Sequence, residues 1–263
     1  MPRFNANLTM LFTEVPVLQR FAHARKAGFE AVEFLFPYEF EKDAVKQALS
    51  ENGLKQVLFN LPAGDWTAGE RGNAIFPDRI DEFRRGVASA IEYAEALGCR
   101  QINCLSGVAL QEQEVEVLHT TFIANLRYAS GELKKHGIRL LIEPINHYDI
   151  PGFFLNTVEQ ADAIINEVGS DNLFIQYDLY HQQRTRGELI ATYQRFKSRI
   201  AHIQLADNPG RNEPGTGEIN YDFVFAALDA AGYDGWIGCE YKPKTTTEEG
   251  LGWLQRAEKA RAA

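Results

Sequence analysis

Short runs of apolar residues alternate along the chain with longer segments in which apolar residues recur every three or four positions. The short runs have the length of buried β-strands, and the longer segments have the period of amphipathic helices. Eight strand–helix pairs follow one another in this way. The predicted strands cover residues 4–8, 31–34, 56–60, 101–104, 139–143, 173–178, 200–205 and 236–240. The predicted helices cover residues 17–27, 42–51, 78–97, 112–136, 157–168, 188–197, 221–231 and 247–261.

Helix ends are marked by local signals. Thr157 and Gln160 have the spacing of a capping box at the start of one helix. Glycine ends a helix well because it adopts the left-handed backbone conformation easily. Such glycines follow four predicted helices, at Gly28, Gly98, Gly137 and Gly232. Since strands and helices alternate, the strands are expected to be parallel and joined by right-handed crossovers.

The number of units favours one (β/α)₈ barrel, the TIM-barrel architecture, as a single domain over residues 1–263. Eight units in 263 residues match the usual barrel size of about 250 residues. A doubly wound open sheet is the alternative, although it usually has fewer strands and often a glycine-rich first turn. The sequence contains neither GxGxxG nor GxxxxGKS/T, so no nucleotide cofactor is expected.

Polar residues stand where central parallel strands should be apolar. They cluster at the carboxyl ends of the predicted strands, the end that holds the active site in barrel enzymes. Carboxylates that converge on one mouth repel each other and raise each other's pKa, so a cation or a proton-transfer reaction is expected there. The strand-end residues are Glu33, Asn60, Asn103, Glu143, Asp178, Gln204 and Glu240.

A divalent metal site is one interpretation of this oxygen-rich set. The carboxylates of Glu143, Asp178 and Glu240, with the amide of Gln204, suit Mg²⁺ or Mn²⁺ better than a metal that prefers thiolates. His202 has the same strand parity as Gln204 and should point to the same side. The alternative for His202 is an interior histidine held by a neighbouring carboxylate.

Candidate substrate-binding residues lie in the loops over the same mouth. His181, three residues after Asp178, could donate a hydrogen bond to a substrate oxygen. Cations would bind an anionic substrate, and arginine suits a carboxylate because its planar fork engages both oxygens. The alternative for each is a solvated loop residue. The candidate cations are Arg71, Arg211 and Lys242.

The glycine-containing segment at residues 214–220, Pro-Gly-Thr-Gly-Glu-Ile-Asn, has some likeness to a phosphate loop. It lacks the Lys-Ser/Thr that follows such a loop. A tight structural loop before the next helix is therefore predicted.

Charge and cysteine content restrict the partners. The net charge of −9 disfavours binding to nucleic acids and anionic membranes. No apolar signal-peptide region or membrane-length apolar run is present. Three cysteines without a CxxC motif fit a reducing compartment, so a cytoplasmic location is expected.

Aromatic residues at 34–40 and Trp66, in the long loop 61–77, are expected to be exposed, as a lid or as an interface in a homo-oligomer.

Five segments together resemble the bacterial hydroxypyruvate isomerase family, within the wider xylose-isomerase-like barrel superfamily. The resemblance covers the chain from Phe4 to Trp253 and implies interconversion of hydroxypyruvate and 2-hydroxy-3-oxopropanoate (tartronate semialdehyde), with Glu143 and Glu240 as the acid/base pair. The similar 2-oxo-tetronate isomerases act on a four-carbon analogue. The segments are Leu61-Pro-Ala-Gly-Asp-Trp66, Glu143-Pro-Ile-Asn-His147, Gln176-Tyr-Asp-Leu-Tyr-His181, Glu213-Pro-Gly-Thr-Gly-Glu-Ile-Asn-Tyr221 and Gly238-Cys-Glu-Tyr-Lys-Pro243.

The resemblance also bears on the metal. Related sugar 3-epimerases hold a metal with Glu, Asp, His and Glu at strand ends, and the matching positions here are Glu143, Asp178, Gln204 and Glu240. Gln204 departs from the histidine of that pattern, and an amide oxygen is a weaker donor than an imidazole. A DNA-repair endonuclease of the superfamily needs additional histidine ligands that this mouth does not match.

Aldose–ketose isomerisation suits two opposed carboxyl groups. A base removes the proton next to a carbonyl, and an acid returns a proton at the neighbouring carbon. The enediolate oxygen needs a divalent ion or a hydrogen-bond donor such as His181.

The sequence leaves four functions to be distinguished. A small-acid isomerase is favoured, and a metal-dependent ketose 3-epimerase is the second enzymatic candidate. A barrel that only binds a small acid is the third. A phosphodiester nuclease is disfavoured by the charge of −9.

Overall fold

The protein, seen in a computed structural model that describes residues 2–109 and 114–262, has a sheet of eight parallel strands within those residues. The third strand consists of two short stretches separated by Val57 and Leu58. The strands are β1 (Arg3–Asn7), β2 (Ala31–Glu33), β3 (Lys55–Gln56 and Phe59–Asn60), β4 (Gln101–Cys104), β5 (Arg139–Ile142), β6 (Leu173–Asp178), β7 (Ile200–Leu205) and β8 (Trp236–Cys239).

The sheet closes on itself through β3. Its first stretch pairs with β2 and its second stretch pairs with β4, while β1 pairs with β8. Hydrogen bonding to β2 continues between the two stretches, because the amide of Val57 donates to Val32 O at 2.8 Å. Beyond the second stretch, the amide of Leu61 donates to Asn103 O at 2.8 Å. The predicted (β/α)₈ barrel is therefore confirmed, and the open sheet is wrong.

Helices follow the strands and cover the outside of the barrel. A 3₁₀ turn, Pro77–Arg79, precedes α3 where the sequence predicts one continuous helix. The helices of the described residues are α1 (Val17–Lys26), α2 (Lys42–Glu51), α3 (Ile80–Leu97), α4 (Val115–Lys135), α5 (Val158–Val168), α6 (Leu179–Thr185), α7 (Leu189–Phe196), α8 (Tyr221–Ala230), α9 (Thr247–Gly250) and α10 (Gly252–Ala262). Each of them is too short or too polar to cross a bilayer.

The structure differs from the helix predictions at three places, or describes them only in part. The predicted start of the helix over residues 112–136 lies outside the described residues, and its remainder corresponds to α4. The amide of Gln160 donates to Thr157 Oγ1, as predicted, but Gln160 Oε1 accepts from the amide of Asn156, so the capping box is incomplete. The short helix α6 was not predicted, because it follows β6 with no intervening loop.

The strands alternate in polarity because the interior of the barrel is polar. On β7, Ile203 and Leu205 belong to the apolar core, whereas His202 and Gln204 reach Glu33 across the barrel. Period-two alternation is the pattern of a strand with one polar and one apolar face. Polar residues therefore also occur along the strands and not only at their ends. The expectation that the strands are apolar apart from their ends is wrong.

The aromatic residues predicted to be exposed are packed against the core. Phe34 is buried, and Phe36 contacts Trp66 edge to face with ring centroids 5.1 Å apart. The Tyr38 hydroxyl donates to Asn60 O at 2.7 Å. The expectation that these rings are exposed is wrong, because Phe36 packs on Trp66 and the other rings pack in or against the core.

Ion pairs hold that loop in place. The guanidinium of Arg79 donates to Glu70 Oε1 at 2.8 Å and to Glu82 Oε1 at 2.7 Å. Arg71 stacks on the Trp66 ring at 4.0 Å and donates to Trp66 O at 3.0 Å. The loop thus forms a fixed rim on one side of the barrel mouth.

Candidate active site

A cavity of about 520 Å³ opens at the carboxyl ends of the strands. Its lining includes all six residues predicted to act in catalysis or substrate binding. They are Glu143, Glu240, His181, Arg71, Arg211 and Lys242. Apolar side chains, among them Leu35, Leu105 and Ile145, form part of the same wall.

Under this cavity lies a buried, hydrogen-bonded carboxylate, that of Glu33. Gln204 Nε2 donates to Glu33 Oε1 at 2.7 Å, His202 Nε2 lies 2.7 Å from Oε2, and Asn5 and Asn7 also donate to it. Burial would raise the pKa of Glu33, but His202, Gln204 and Asn5 together hold that pKa below its usual value. The site therefore has an anionic floor, and the alternative of a carboxylate-held interior histidine is confirmed for His202.

Glu143, which directly follows β5, has the opposite environment. Its side chain is buried, and the hydrogen bond that it receives from Asn103 Nδ2 is long, at 3.3 Å. Burial raises the pKa of Glu143 well above its usual value, and the charges of Glu240 and Asp178 raise it further, against the opposing effect of Arg211. Glu143 therefore ionises less readily than an ordinary glutamate.

Glu240 follows β8 and faces the same cavity. Burial raises its pKa to about 8, with Asp178 and Glu33 adding to the rise and Arg211 opposing it. Arg211 Nη2 lies 3.5 Å from Glu240 Oε2. Two carboxyl groups with raised pKa values thus line one cavity, as acid–base chemistry requires.

Asp178 ends β6 and caps α6. Its Oδ1 accepts from the amides of Tyr180 and His181 at 2.7 and 3.2 Å. Burial raises the pKa of Asp178 above its usual value, and Arg211 and these amides only partly oppose the rise. Its Oδ2 is buried without a hydrogen-bond partner. Such an atom is costly unless a cation or a donor satisfies it.

His181 is held as a neutral imidazole with a defined tautomer. Burial lowers its pKa well below the usual value, and the charges of Arg211 and Arg184 lower it further. Asn146 Nδ2 lies 2.6 Å from His181 Nδ1 and can only donate to it. Arg211 Nη2 faces the other ring nitrogen, Nε2, at the longer distance of 3.4 Å. The shorter contact at Nδ1 therefore places the ring proton on Nε2, which lies 3.8 Å from Asp178 Oδ2.

Glu143, Asp178 and His181 offer atoms that all lie within 4.8 Å of one another, close enough to hold a metal ion. The two carboxylates fit an oxygen-preferring ion, and the unpartnered Asp178 Oδ2 is a free ligand atom. His181 fits less well, because its Nε2 carries the ring proton. The structure thus brings together two of the four predicted ligands.

The other two predicted ligands, Gln204 and Glu240, are placed differently. Gln204 donates to Glu33 through Nε2, and its Oε1 accepts from Gln176 Nε2 at 2.6 Å. Glu240 lies outside the group formed by Glu143, Asp178 and His181. A four-ligand set therefore stays a prediction.

Arg211 is carried by a loop that Asp207 organises. Asp207 Oδ2 accepts from the amides of residues 215, 216 and 217, and Oδ1 accepts from those of residues 208 and 219. A Cβ at Gly217 would lie 2.0 Å from Asn208 O. The segment 214–220 is therefore a structural loop, as predicted.

The three candidate cations lie at different depths. Arg211 reaches the carboxylates of Glu240, Asp149 and Asp178, with shortest N–O distances of 3.5, 3.4 and 3.9 Å. Arg71 and Lys242 line the cavity, with Arg71 tied to the rim by its own hydrogen bonds. Arg211 is thus the cation that faces the carboxyl groups directly.

Sequence reasoning missed four polar residues that shape the site, Glu33, Asn146, Asp149 and Gln176. Glu33 was noted only as a strand end. Asn146 lies within the segment 143–147, in which the sequence predicts a role for Glu143. No local signal marks Asp149, whose partners Arg184 and Arg211 come from α6 and from the loop after β7.

Comparisons with known proteins give the same fold and a group of relatives. The xylose isomerase-like TIM barrel family matches residues 21–257. The chain is 55% identical to hydroxypyruvate isomerase of Escherichia coli (strain K12), covering 97% of this chain and 98% of the relative. It is 46% identical to 2-oxo-tetronate isomerase of Cupriavidus necator, with the same coverage. A solved structure titled AP endonuclease, family 2, from Brucella melitensis superposes with a TM-score of 0.95 at 44% identity, covering 97% of this chain and 99% of the other.

Proposed function

The chain belongs to the xylose isomerase-like TIM barrel family, in the group of the hydroxypyruvate and 2-oxo-tetronate isomerases, and from this premise we propose that it interconverts hydroxypyruvate and 2-hydroxy-3-oxopropanoate. The observation that carries the proposal is the pair of buried carboxyl groups, Glu143 and Glu240, with raised pKa values in one cavity. The proposed substrate is a small anionic hydroxy or oxo acid.

The reaction needs one proton removed and one returned. The ionised member of the pair takes a proton from C3 of hydroxypyruvate, and the electrons move into the C2–C3 bond, giving an enediolate with its negative charge on the oxygen of C2. The protonated member then supplies a proton to C2, while C3 becomes the aldehyde and its hydroxyl proton passes to the oxygen of C2. Burial and mutual repulsion keep one carboxyl of the pair protonated near neutral pH, so both roles are available together.

His181 and Arg211 are proposed to stabilise the charge that develops. His181 Nε2 lies 3.9 Å from Glu143 Oε1 and 3.8 Å from Asp178 Oδ2, where its N–H can donate to the enediolate oxygen. The guanidinium of Arg211 offers a positive charge and N–H donors to the substrate carboxylate. Arg71 and Lys242 add cations toward the mouth, as an anionic substrate requires.

A divalent ion, Mg²⁺ or Mn²⁺, would be held by the carboxylates of Glu143 and Asp178. When bound, such an ion supplies Lewis-acid polarisation of a substrate oxygen. The support for this proposal is the unpartnered Asp178 Oδ2 and its closeness to Glu143.

A 2-oxo-tetronate isomerase is the second candidate. The cavity of about 520 Å³, with Leu35 and Ile145 in its wall, exceeds the needs of a three-carbon acid. The 46% identity to a 2-oxo-tetronate isomerase points the same way. Glu143 and Glu240 would keep the same tasks on the longer substrate.

Turnover of the purified, metal-stripped protein tests both candidates. Hydroxypyruvate and 2-oxo-tetronate would each be supplied with and without Mg²⁺ or Mn²⁺. We expect faster turnover of hydroxypyruvate, and stimulation by either ion would support the metal site. Preference for the four-carbon acid would select the second candidate. Absence of turnover with both acids would overturn the small-acid function and leave ketose 3-epimerisation to be tested.

A further inference from the structure

We propose that Asn146 and Asp149, on the loop that follows β5, are positioning residues that set the proton of His181 and the place of Arg211. The inference rests on the proposed function for its catalytic consequence, although its structural part can be measured without turnover. Both residues lie in one turn, and they contact His181 of α6 and Arg211 of the loop after β7.

Asn146 is fixed in one orientation by its own partners. The side chain is fully buried, and its Oδ1 accepts from the amides of Tyr148 and Asp149 at 3.0 and 2.9 Å. Rotation of the side-chain amide by half a turn would leave both backbone donors facing an NH₂ group, which is costly in a buried place. Asn146 Nδ2 is therefore the atom that faces His181.

This orientation dictates what His181 can do. Its Nδ1 accepts from Asn146 Nδ2 at 2.6 Å, whereas the donor Arg211 Nη2 lies farther from Nε2, at 3.4 Å, so a neutral ring carries its proton on Nε2. The other tautomer would present a lone pair at Nε2 to Glu143 and Asp178, which lie 3.9 and 3.8 Å away. Only the tautomer that Asn146 selects can donate to a substrate oxygen in the cavity.

Asp149 holds the second donor from the same turn. Its Oδ2 lies 3.4 Å from Arg211 Nη1, and its Oδ1 accepts from the Tyr180 hydroxyl at 3.0 Å. With Nη1 held there, Nη2 of Arg211 lies 3.5 Å from Glu240 Oε2 and 3.4 Å from His181 Nε2. The amide of Asp149 donates to Asn146 Oδ1, so the two positioning contacts are parts of one hydrogen-bonded unit.

The first test replaces Asn146→Asp, which keeps an oxygen for the two backbone amides. A carboxylate beside Nδ1 accepts a proton from it, so the neutral ring should change tautomer and Nε2 should lose its proton. ¹⁵N NMR of the His181 ring, at a pH where the ring is neutral, reads the tautomer directly. We expect protonated Nε2 in the wild type and protonated Nδ1 in the variant, with kcat lower by about 10²–10³-fold, the effect of losing one preorganised donor.

Asn166→Asp is the matched control, because Asn166 is a surface residue of α5 paired with Arg199 and Asp162. It should leave the His181 spectrum and kcat unchanged. A wild-type spectrum with the proton on Nδ1 overturns the proposal even where the variant does not fold, and so does a variant that keeps the wild-type tautomer. If the wild type has the expected tautomer but turns over neither acid, the proposed function fails and the tautomer assignment stands.

The second test replaces Asp149→Asn, which keeps an acceptor for the Tyr180 hydroxyl and removes the charge that holds Arg211. We expect KM for the acid substrate to rise about tenfold with kcat changed less, because binding of the substrate carboxylate is weakened. Asp171→Asn, at an exposed ion pair with Lys134, is the matched control. Equal KM values for the wild type and Asp149→Asn would contradict the role of Asp149.

Discussion

At the level of single residues, the surroundings give glutamates at neighbouring strand ends different protonation states. Glu33 receives hydrogen bonds from Asn5, Asn7 and Gln204 and pairs with His202, so its pKa is lowered although it is buried. Glu240 has the Arg211 charge at 3.5 Å as its stabilising contact, and its pKa rises to about 8. The difference fits a permanently charged floor under a carboxyl that exchanges protons near neutral pH.

The raised pKa of Glu240 has a consequence for stability. In the unfolded chain this carboxyl ionises near its usual value, whereas in the folded protein it stays protonated up to about pH 8. The folded state therefore binds more protons between these values, and the free energy of unfolding should fall as pH rises from about 5 to 8, by about 1.4 kcal/mol for each unit of pKa shift.

Urea unfolding at both ends of this pH range checks the stability prediction. Glu240→Gln cannot ionise, so the variant should lose less stability than the wild type over the same interval. Identical pH dependence of the two proteins would show that the pKa of Glu240 is not raised.

Among the connecting elements, the loop after β7 has a conformation that its glycines predict only in part. Its glycines were predicted to form a tight turn, and the structure adds the reason, since Asp207 collects five backbone amides there. The partners of Asp207 are spread over residues 208–219, and no short motif encodes that arrangement. The position of Arg211 over the carboxyl groups follows from it.

Gly217→Ala tests this loop. The added Cβ would lie 2.0 Å from Asn208 O, so the loop must shift, at a cost of about 1–3 kcal/mol. We expect a lower thermal unfolding midpoint and a higher KM, because Arg211 moves with the loop. Gly131→Ala is the matched control, since Gly131 is in α4 with open space around its Cβ position, and alanine favours a helix. A destabilisation of the control as large as that of Gly217→Ala would contradict the account.

The helices and strands were largely predictable because the hydrophobic period is strong in each. The exceptions have local causes. The helix α6 begins directly at the Asp178 cap, so the pattern contains no break between strand and helix. The aromatic residues at 34–40 have the sequence context of an exposed loop, but they pack in or against the core, with Phe36 on Trp66.

For the whole molecule, the barrel topology explains why the candidate site could be predicted from the sequence. Parallel strands bring their carboxyl ends to one mouth, so Glu143, Asp178 and Glu240 could be grouped without any knowledge of contacts. Contacts between separate segments, such as that of Asn146 with His181 of α6, depend on three-dimensional placement and could not be found in this way. The cytoplasmic location, the lack of nucleic-acid and membrane partners, and a homo-oligomer stay predictions.

The central claim is that Glu143 and Glu240 move a proton between adjacent carbons of a small acid. Its most direct test is turnover in D₂O by the wild type, Glu143→Gln and Glu240→Gln, with Glu132→Gln, at a surface ion pair with Lys135, as the control. We expect the wild-type product to carry deuterium at the carbon that receives the proton, and each site variant to lose about 10²–10⁴-fold in kcat. Product without deuterium, or near-wild-type turnover by both folded site variants, would contradict the claim.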